Sequence, residues 1–204
     1  MSIRCYFGSP GCGKSTLLTS IAVRERKRGR YQHIYTNFYC KGFEKIDFHD
    51  LGRYHFSNSL LLLDELTVDA DNRDFKNFDA AVRDFLIYHR HTHCDVIYAT
   101  QDYSAVDKKI RNLTEELYYV RSISPALPLL RRIFPISKAS RIFRTIDIDE
   151  HSHDIVYGYR FATLFERIFG RVSYMCWRPR LYPFFDSFCD PFVSRPSPPS
   201  VIWN

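Results

Sequence analysis

The chain has 204 residues, 45% hydrophobic and 25% charged, which suits one compact α/β domain with a small appendage and excludes two large domains. That balance excludes a disordered chain, and no stretch approaches the roughly 18 consecutive apolar residues of a membrane-spanning helix. The net charge of +6 is uneven: residues 1–120 carry 17 Lys and Arg against 16 Asp and Glu, residues 121–204 carry 12 against 7. This C-terminal basic excess permits contact with nucleic acid or an anionic membrane surface, and is equally what an Arg-rich solvated surface looks like. Six cysteines (Cys5, Cys12, Cys40, Cys94, Cys176, Cys189) lack a short paired spacing and no signal-like leader is read, so reduced thiols in a cytosolic setting are expected.

Residues 3–7 read as a short buried strand that runs into a glycine-rich loop. Residues 15–28 follow as a helix with an apolar stripe at Leu17, Leu18, Ile21 and Ala22. A second strand is expected at 33–37. Leu60, Leu61, Leu62 and Leu63 form the continuous apolar run of a parallel strand covered on both faces, ending in Asp64 and Glu65. A polar segment, 67–77, precedes a helix at 78–88 that sets Val82, Phe85 and Leu86 on one face. Another apolar strand, 95–100, is closed by Gln101. Alternating strands and helices predict a parallel sheet with right-handed crossovers. From Leu117 onward the pattern changes, and the imperfect alternation at 141–149 and 156–161 predicts further strands beyond this core. Residues 191–204, rich in Pro and Ser, read as a loosely ordered tail.

The segment Gly8, Ser9, Pro10, Gly11, Cys12, Gly13, Lys14, Ser15 matches G-x-x-x-x-G-K-[ST] in full, between a predicted strand and a predicted helix. Its glycines let successive backbone N–H groups point at phosphates, Lys14 reaches the β- and γ-phosphates, and Ser15 is a ligand for Mg²⁺. Thr16 completes the expected binding segment. The apolar strand carries Asp64 and Glu65 to its carboxyl edge, where open α/β sheets bind ligands, and it is expected beside the loop strand. Asp64 is the second metal candidate. Glu65 is placed to polarise water, which points to hydrolysis of ATP rather than transfer to an acceptor. Gln101, ending the third strand, can sense the γ-phosphate or orient water. Arg111 is either an arginine finger acting on a neighbouring subunit or an ordinary surface arginine.

His89, His91, His93 and Cys94 crowd together, but residues two apart on a helix point away from each other and no second ligand pair stands at a zinc-like interval. Cys12 reads either as a redox-sensitive thiol or as a small residue that fits the loop. Residues 160–172 place Phe161, Leu164, Phe165, Ile168 and Phe169 at helical spacing between arginines. This is either a helix packed on its own sheet or one that touches a membrane or a partner.

In this order the elements resemble the zonular occludens toxin (Zot) family, the assembly ATPases of filamentous phages, within the additional-strand P-loop class. The likeness runs from the phosphate loop through the acidic strand, His89 to Gln101, and Val106 to Leu113. It ends in an aromatic stretch from Tyr174 to Asp186, so that residues 1–188 form one P-loop domain and 189–204 a tail. The resemblance implies a RecA-like, mainly parallel sheet flanked by helices with extra C-terminal strands. It also implies Mg²⁺-dependent ATP hydrolysis coupled to virion extrusion, with Lys14, Ser15, Asp64, Glu65 and Gln101 inheriting roles. The partners it implies are further copies of the chain in a ring, viral DNA and coat or assembly proteins. The implied location is the host cytoplasm, at the inner membrane only through a partner or a peripheral surface. Three readings compete: a DNA-packaging ATPase of an icosahedral virus, a P-loop small-molecule kinase, and a non-hydrolytic nucleotide-binding adaptor.

Overall fold

The computed structural model describes residues 1–66, 80–123, 135–148, 155–164, 166 and 173–184. The polar segment 67–77, the proposed domain end at 188 and the tail lie outside them. In chain order the elements are β1 (Ile3–Phe7), α1 (Lys14–Arg28), β2 (His33–Thr36), the two-residue β3 (Glu44–Lys45), β4 (Ser59–Leu63), α2 (Ala80–Tyr88), β5 (Asp95–Thr100) and α3 (Lys108–Leu113). Then come β6 (Glu116–Ile123), β7 (Ile136–Ile148), β8 (Ile155–Phe161) and β9 (Ser173–Trp177). The strands join in one sheet of order β3-β2-β4-β5-β1-β6-β7-β8, with β9 also paired to β7.

Pairing from β3 to β6 is parallel throughout, whereas β7 runs antiparallel to β6, β8 and β9. The expected alternation of strands and helices is therefore present, with two corrections of placement. The acidic strand β4 is not beside the loop strand, because β5 lies between them. The change in pattern also falls one strand later than Leu117, since Leu117 still pairs in parallel with Cys5 and the antiparallel part begins at β7.

Side-chain alternation in the parallel strands sorts the core into two faces. Cys5, Leu61, Leu63, Val96 and Tyr98 meet Val82 and Leu86 of α2 and Ile110 of α3 on one face, with Phe85 packed at its margin. Tyr6, Leu60, Leu62, Ile97 and Ala99 meet Leu17, Leu18, Ile21 and Ala22 of α1 on the other. Every residue of β4 and β5 is buried, as the unbroken apolar runs predict for strands covered on both sides. Helix α1 ends at Gly29, whose left-handed φ of 63° lets its N–H donate to the carbonyls of Arg26 and Glu25.

β7 begins five residues before the predicted strand, and the reason is packing. Ser137 and Ala139 are fully buried small residues that alternate with half-exposed neighbours, so apolar periodicity does not reveal them. The predicted helix at 160–172 needs a larger correction. Arg160 and Phe161 end β8, Phe161 pairs with Ile142, and Ala162 and Thr163 are not helical. Leu164 and Glu166 are the described helical residues of that segment, and Leu164 is 75% exposed. Among the described residues no helix is long and apolar enough to cross a membrane.

Candidate nucleotide-binding site

The loop from Gly8 to Gly13 leaves β1 at the carboxyl edge of the parallel strands. A side chain at Gly8 would meet the Val120 carbonyl at 2.3 Å, so only glycine lets the loop start this close to β6. Gly13, at φ 90° and ψ 39°, turns the chain into α1, and no side chain caps that helix's first turn, which carries no acidic residue. The leading N–H groups of an α-helix have no intrahelical partner, and the positive end of its dipole favours an anion. These donors fit the phosphates of a nucleotide.

Lys14 is buried, and its Nζ donates to the carbonyls of Gly8 at 2.8 Å and Ser9 at 3.3 Å. The ammonium is thus held inside the loop with its charge satisfied. Ser9, Pro10 and Gly11 are exposed along the rim, whereas Thr16 is buried in the first turn of α1. Burial raises the Cys12 thiol above its ordinary pKa although Lys14 and Arg178 pull it down. The thiolate needed by the redox reading is disfavoured, and the small-residue reading fits.

Across the intervening β5, the Ser15 hydroxyl lies against the Asp64 carboxyl and favours its ionised form. Burial raises the Asp64 pKa, Ser15 and the backbone N–H of Glu65 pull it down, and the nearby Glu65 charge pushes it up; the net shift is upward. A carboxyl in this condition favours a cation beside it. Ser15 and Asp64, two hard oxygen donors in contact, fit a Mg²⁺ ion that keeps several of its waters.

Glu65 sits at a positive φ of 50°, a turn that carries its side chain out of the strand direction into solvent. There its Oε1 accepts from Gln101 Nε2 at 3.2 Å. The structure therefore brings Glu65 and Gln101 together at the edge shared by β4 and β5.

Arg111 is placed elsewhere. It lies on α3, and its carbonyl accepts from Arg144 Nη2 at 3.2 Å and from the Tyr103 hydroxyl at 3.3 Å. Among the described residues its side chain has no hydrogen bond or ion pair with the loop, Asp64, Glu65 or Gln101.

The histidine cluster does not converge: His89 and Cys94 are buried, while His91 and His93 are exposed. Burial lowers the His89 pKa, and Nδ1 sits 2.8 Å from the Leu86 carbonyl. No group of three or more His, Cys, Asp or Glu positioned to hold a metal occurs among the described residues.

Three contributors escaped the sequence reading. Asn37, just past β2, bridges Asp64 by donating Nδ2 to its carbonyl at 3.0 Å and accepting its N–H at 2.6 Å, which pins the end of the acidic strand. Ser137 of β7 donates to the Cys12 carbonyl at 2.8 Å. Arg178, after β9, donates to the carbonyls of Cys12 at 2.7 Å and Gly11 at 3.3 Å and to Ser137 Oγ at 2.8 Å. The Gly11 and Cys12 carbonyls are thus held by side chains of the antiparallel half. The only sequence signal for Arg178 is its place in the aromatic stretch at 174–186, which says nothing of a partner 166 positions earlier.

A glycine loop between strand and helix, a Ser–Asp contact and a strand inserted between the two define the P-loop NTPase fold with an additional strand. The chain belongs to the zonular occludens toxin (Zot) family, whose sequence profile, "Zonular occludens toxin (Zot)", matches residues 23–126, half of the chain. That match starts within α1, after the phosphate loop, so family membership and the loop are independent observations. The N-terminal domain of zonular occludens toxin from Neisseria meningitidis superposes with a TM-score of 0.53 at 15% identity, covering 91% of this chain and 98% of that one. The genome-packaging NTPase of Sulfolobus turreted icosahedral virus 2 is more distant. Its complex with ATP-gammaS gives a TM-score of 0.44 at 12% identity over 76% of this chain and 96% of that one, and its sulfate complex 0.46 at 13% over 76% and 94%. No curated protein matches.

Proposed function

We propose that this chain is a Mg²⁺-dependent ATPase that works as a ring-forming motor on viral DNA during virion assembly. The observation that carries the hydrolytic part is the Ser15–Asp64 contact across β5, with Glu65 and Gln101 paired at the same edge. In this reading the loop N–H groups and the first turn of α1 hold the phosphates, and Lys14 Nζ exchanges the Gly8 and Ser9 carbonyls for phosphate oxygens. Ser15 and Asp64 would hold a Mg²⁺ ion, which would supply positive charge against the phosphate oxygens. Glu65 accepts a hydrogen bond from the attacking water and polarises it, and the Gln101 amide fixes the carboxylate's orientation. Arg111 remains the proposed contribution to a neighbouring subunit's site.

DNA as the load is supported by the antiparallel half. Arg121 and Lys138 stand opposite each other across β6 and β7, beside a cleft of about 310 Å³ that also includes Tyr119 and Phe161. Tyr159 and Phe161 of β8 and Met175 and Trp177 of β9 are exposed on the strands paired with β7. Cations interleaved with aromatic rings bind single strands through phosphates and stacking. The motor is proposed to act in the host cytoplasm, reaching the inner membrane through coat or assembly proteins.

The test is steady-state hydrolysis by the purified chain with and without Mg²⁺ and single-stranded DNA over a range of protein concentrations. Mg²⁺-dependent turnover whose specific activity rises with protein concentration and with DNA is expected. Turnover strictly linear in enzyme and indifferent to DNA overturns the ring and DNA parts. Absence of any Mg²⁺-nucleotide hydrolysis or binding overturns the whole.

A further inference from the structure

The last rung that joins β2 to β4 is made by a side chain. Main-chain pairing of these parallel strands ends at Thr36 and Leu62, after which the Asn37 N–H donates to the Leu62 carbonyl at 3.2 Å. One rung further, a parallel ladder would give the Asp64 N–H to the Asn37 main-chain carbonyl. Here Asn37 Oδ1 accepts that N–H at 2.6 Å, and Asn37 Nδ2 donates to the Asp64 carbonyl at 3.0 Å. A planar amide carries a donor and an acceptor side by side, so one side chain satisfies both main-chain groups of Asp64. Asn37 is itself held: the buried Thr36 donates its hydroxyl to the Phe38 carbonyl at 3.0 Å, a bond that spans the residue.

The consequence falls on the next peptide. The Asp64 carbonyl and the Glu65 N–H belong to one planar unit. That unit is gripped at both ends, since the Glu65 N–H donates to Asp64 Oδ1 at 3.1 Å. Downstream, Leu66 is buried in the core on the α2 face of the sheet. With the peptide fixed on one side and Leu66 buried on the other, Glu65 is left to make the turn, at a φ of 50° that a residue with a side chain rarely adopts. That turn brings its carboxylate to Gln101 Nε2 at 3.2 Å.

We propose that Asn37 is a positioning residue for ATP hydrolysis: its amide fixes the Asp64–Glu65 peptide and thereby holds Glu65 in the turn that keeps the carboxylate beside Gln101. Without the amide, Glu65 relaxes to an ordinary negative φ and its carboxylate leaves the edge of β5, while the phosphate loop and the Ser15–Asp64 contact stay in place. Asn37 acts through Glu65 and has no contact with the nucleotide. The inference rests on the ATPase reading. It adds that β2, which supplies none of the residues proposed to bind or react, sets the orientation of the group that polarises water.

The experiment compares wild type, Asn37→Ala and Asn37→Asp, each with and without Glu65→Gln, in the full chain at one protein concentration. Steady-state hydrolysis of Mg²⁺-ATP gives kcat, and equilibrium binding of the same nucleotide gives Kd. Asn37→Ala is expected to lower kcat at least ~10-fold while Kd changes less than ~2-fold. In the Glu65→Gln background the same substitution should change the residual rate less than ~2-fold, an outcome that a merely structural role would not produce. Asn37→Asp has the same shape and lacks the donor to the Asp64 carbonyl, so it should behave as Asn37→Ala does. It decides the matter if the alanine variant does not fold, which circular dichroism checks. An unchanged kcat in a folded variant, an equal fractional loss with and without Glu65, or a loss confined to affinity overturns the positioning role and leaves the ATPase reading intact. Wild type that does not hydrolyse Mg²⁺-ATP overturns the ATPase reading, and this inference falls with it.

Discussion

The parallel strands β3 to β6 and the antiparallel strands β7 to β9 share one sheet but are built differently. β4 and β5 are buried on both faces, whereas β9 alternates exposed and half-buried positions around a single buried residue, Cys176. The first half is held by a two-sided apolar core. The second is anchored along β7, and it reaches α1 through the Arg24 guanidinium 4.5 Å over the Tyr174 ring and a Ser20–Tyr174 hydrogen bond. The difference separates tasks: the buried parallel half carries the proposed reacting groups, and a more exposed half meets the loop through Ser137 and Arg178.

The largest expected effect lies in the parallel half. Glu65→Gln should lower ATP turnover at least ~100-fold, equivalent to ~2.7 kcal/mol, with nucleotide affinity retained. Initial rates and equilibrium binding check it, and equal loss of both would remove Glu65 from its role. Next, Leu61→Ala on β4 should cost ~2–5 kcal/mol of unfolding free energy, while Met175→Ala on β9, 60% exposed in the wild type, should stay within ~0.5 kcal/mol. Denaturant titrations of the pair measure the contrast directly, and similar costs would erase the distinction drawn between the halves.

Arg178→Ala probes the contact between them. It frees the Gly11 carbonyl and leaves the Cys12 carbonyl with Ser137 alone, and should weaken Mg²⁺-ATP and Mg²⁺-tripolyphosphate alike by ~10-fold, or ~1.4 kcal/mol, in titration calorimetry of the full chain. Unchanged affinity would show that the antiparallel half does not shape the loop. The smallest effect concerns pH. Asp64 has a raised folded-state pKa, so its contribution to stability is present below the ordinary carboxyl range near ~4 and is lost as pH rises through the folded value. Asp64→Asn should therefore raise the thermal midpoint of the nucleotide-free protein at pH 7 by a few degrees, with a gain that shrinks toward pH 4. A lower midpoint at pH 7 would contradict the cost assigned to the ionised carboxyl.

Local pattern was enough for much of this protein. The Gly8-to-Ser15 loop, the stripe of α1, the all-buried β4 and β5 and the acidic pair were legible because a glycine loop, a 3.6-residue period and an unbroken apolar run each need only neighbours in sequence. Family resemblance added the Zot fold. Tertiary structure alone decided that β5 separates the loop strand from β4, that Glu65 turns outward to meet Gln101, and that Asn37, Ser137 and Arg178 converge on the site. It also decided that Arg160 and Phe161 belong to a strand. Each of these is a contact between segments distant along the chain, set by strand order and by which small residues let the backbone approach, and no local periodicity encodes such a meeting.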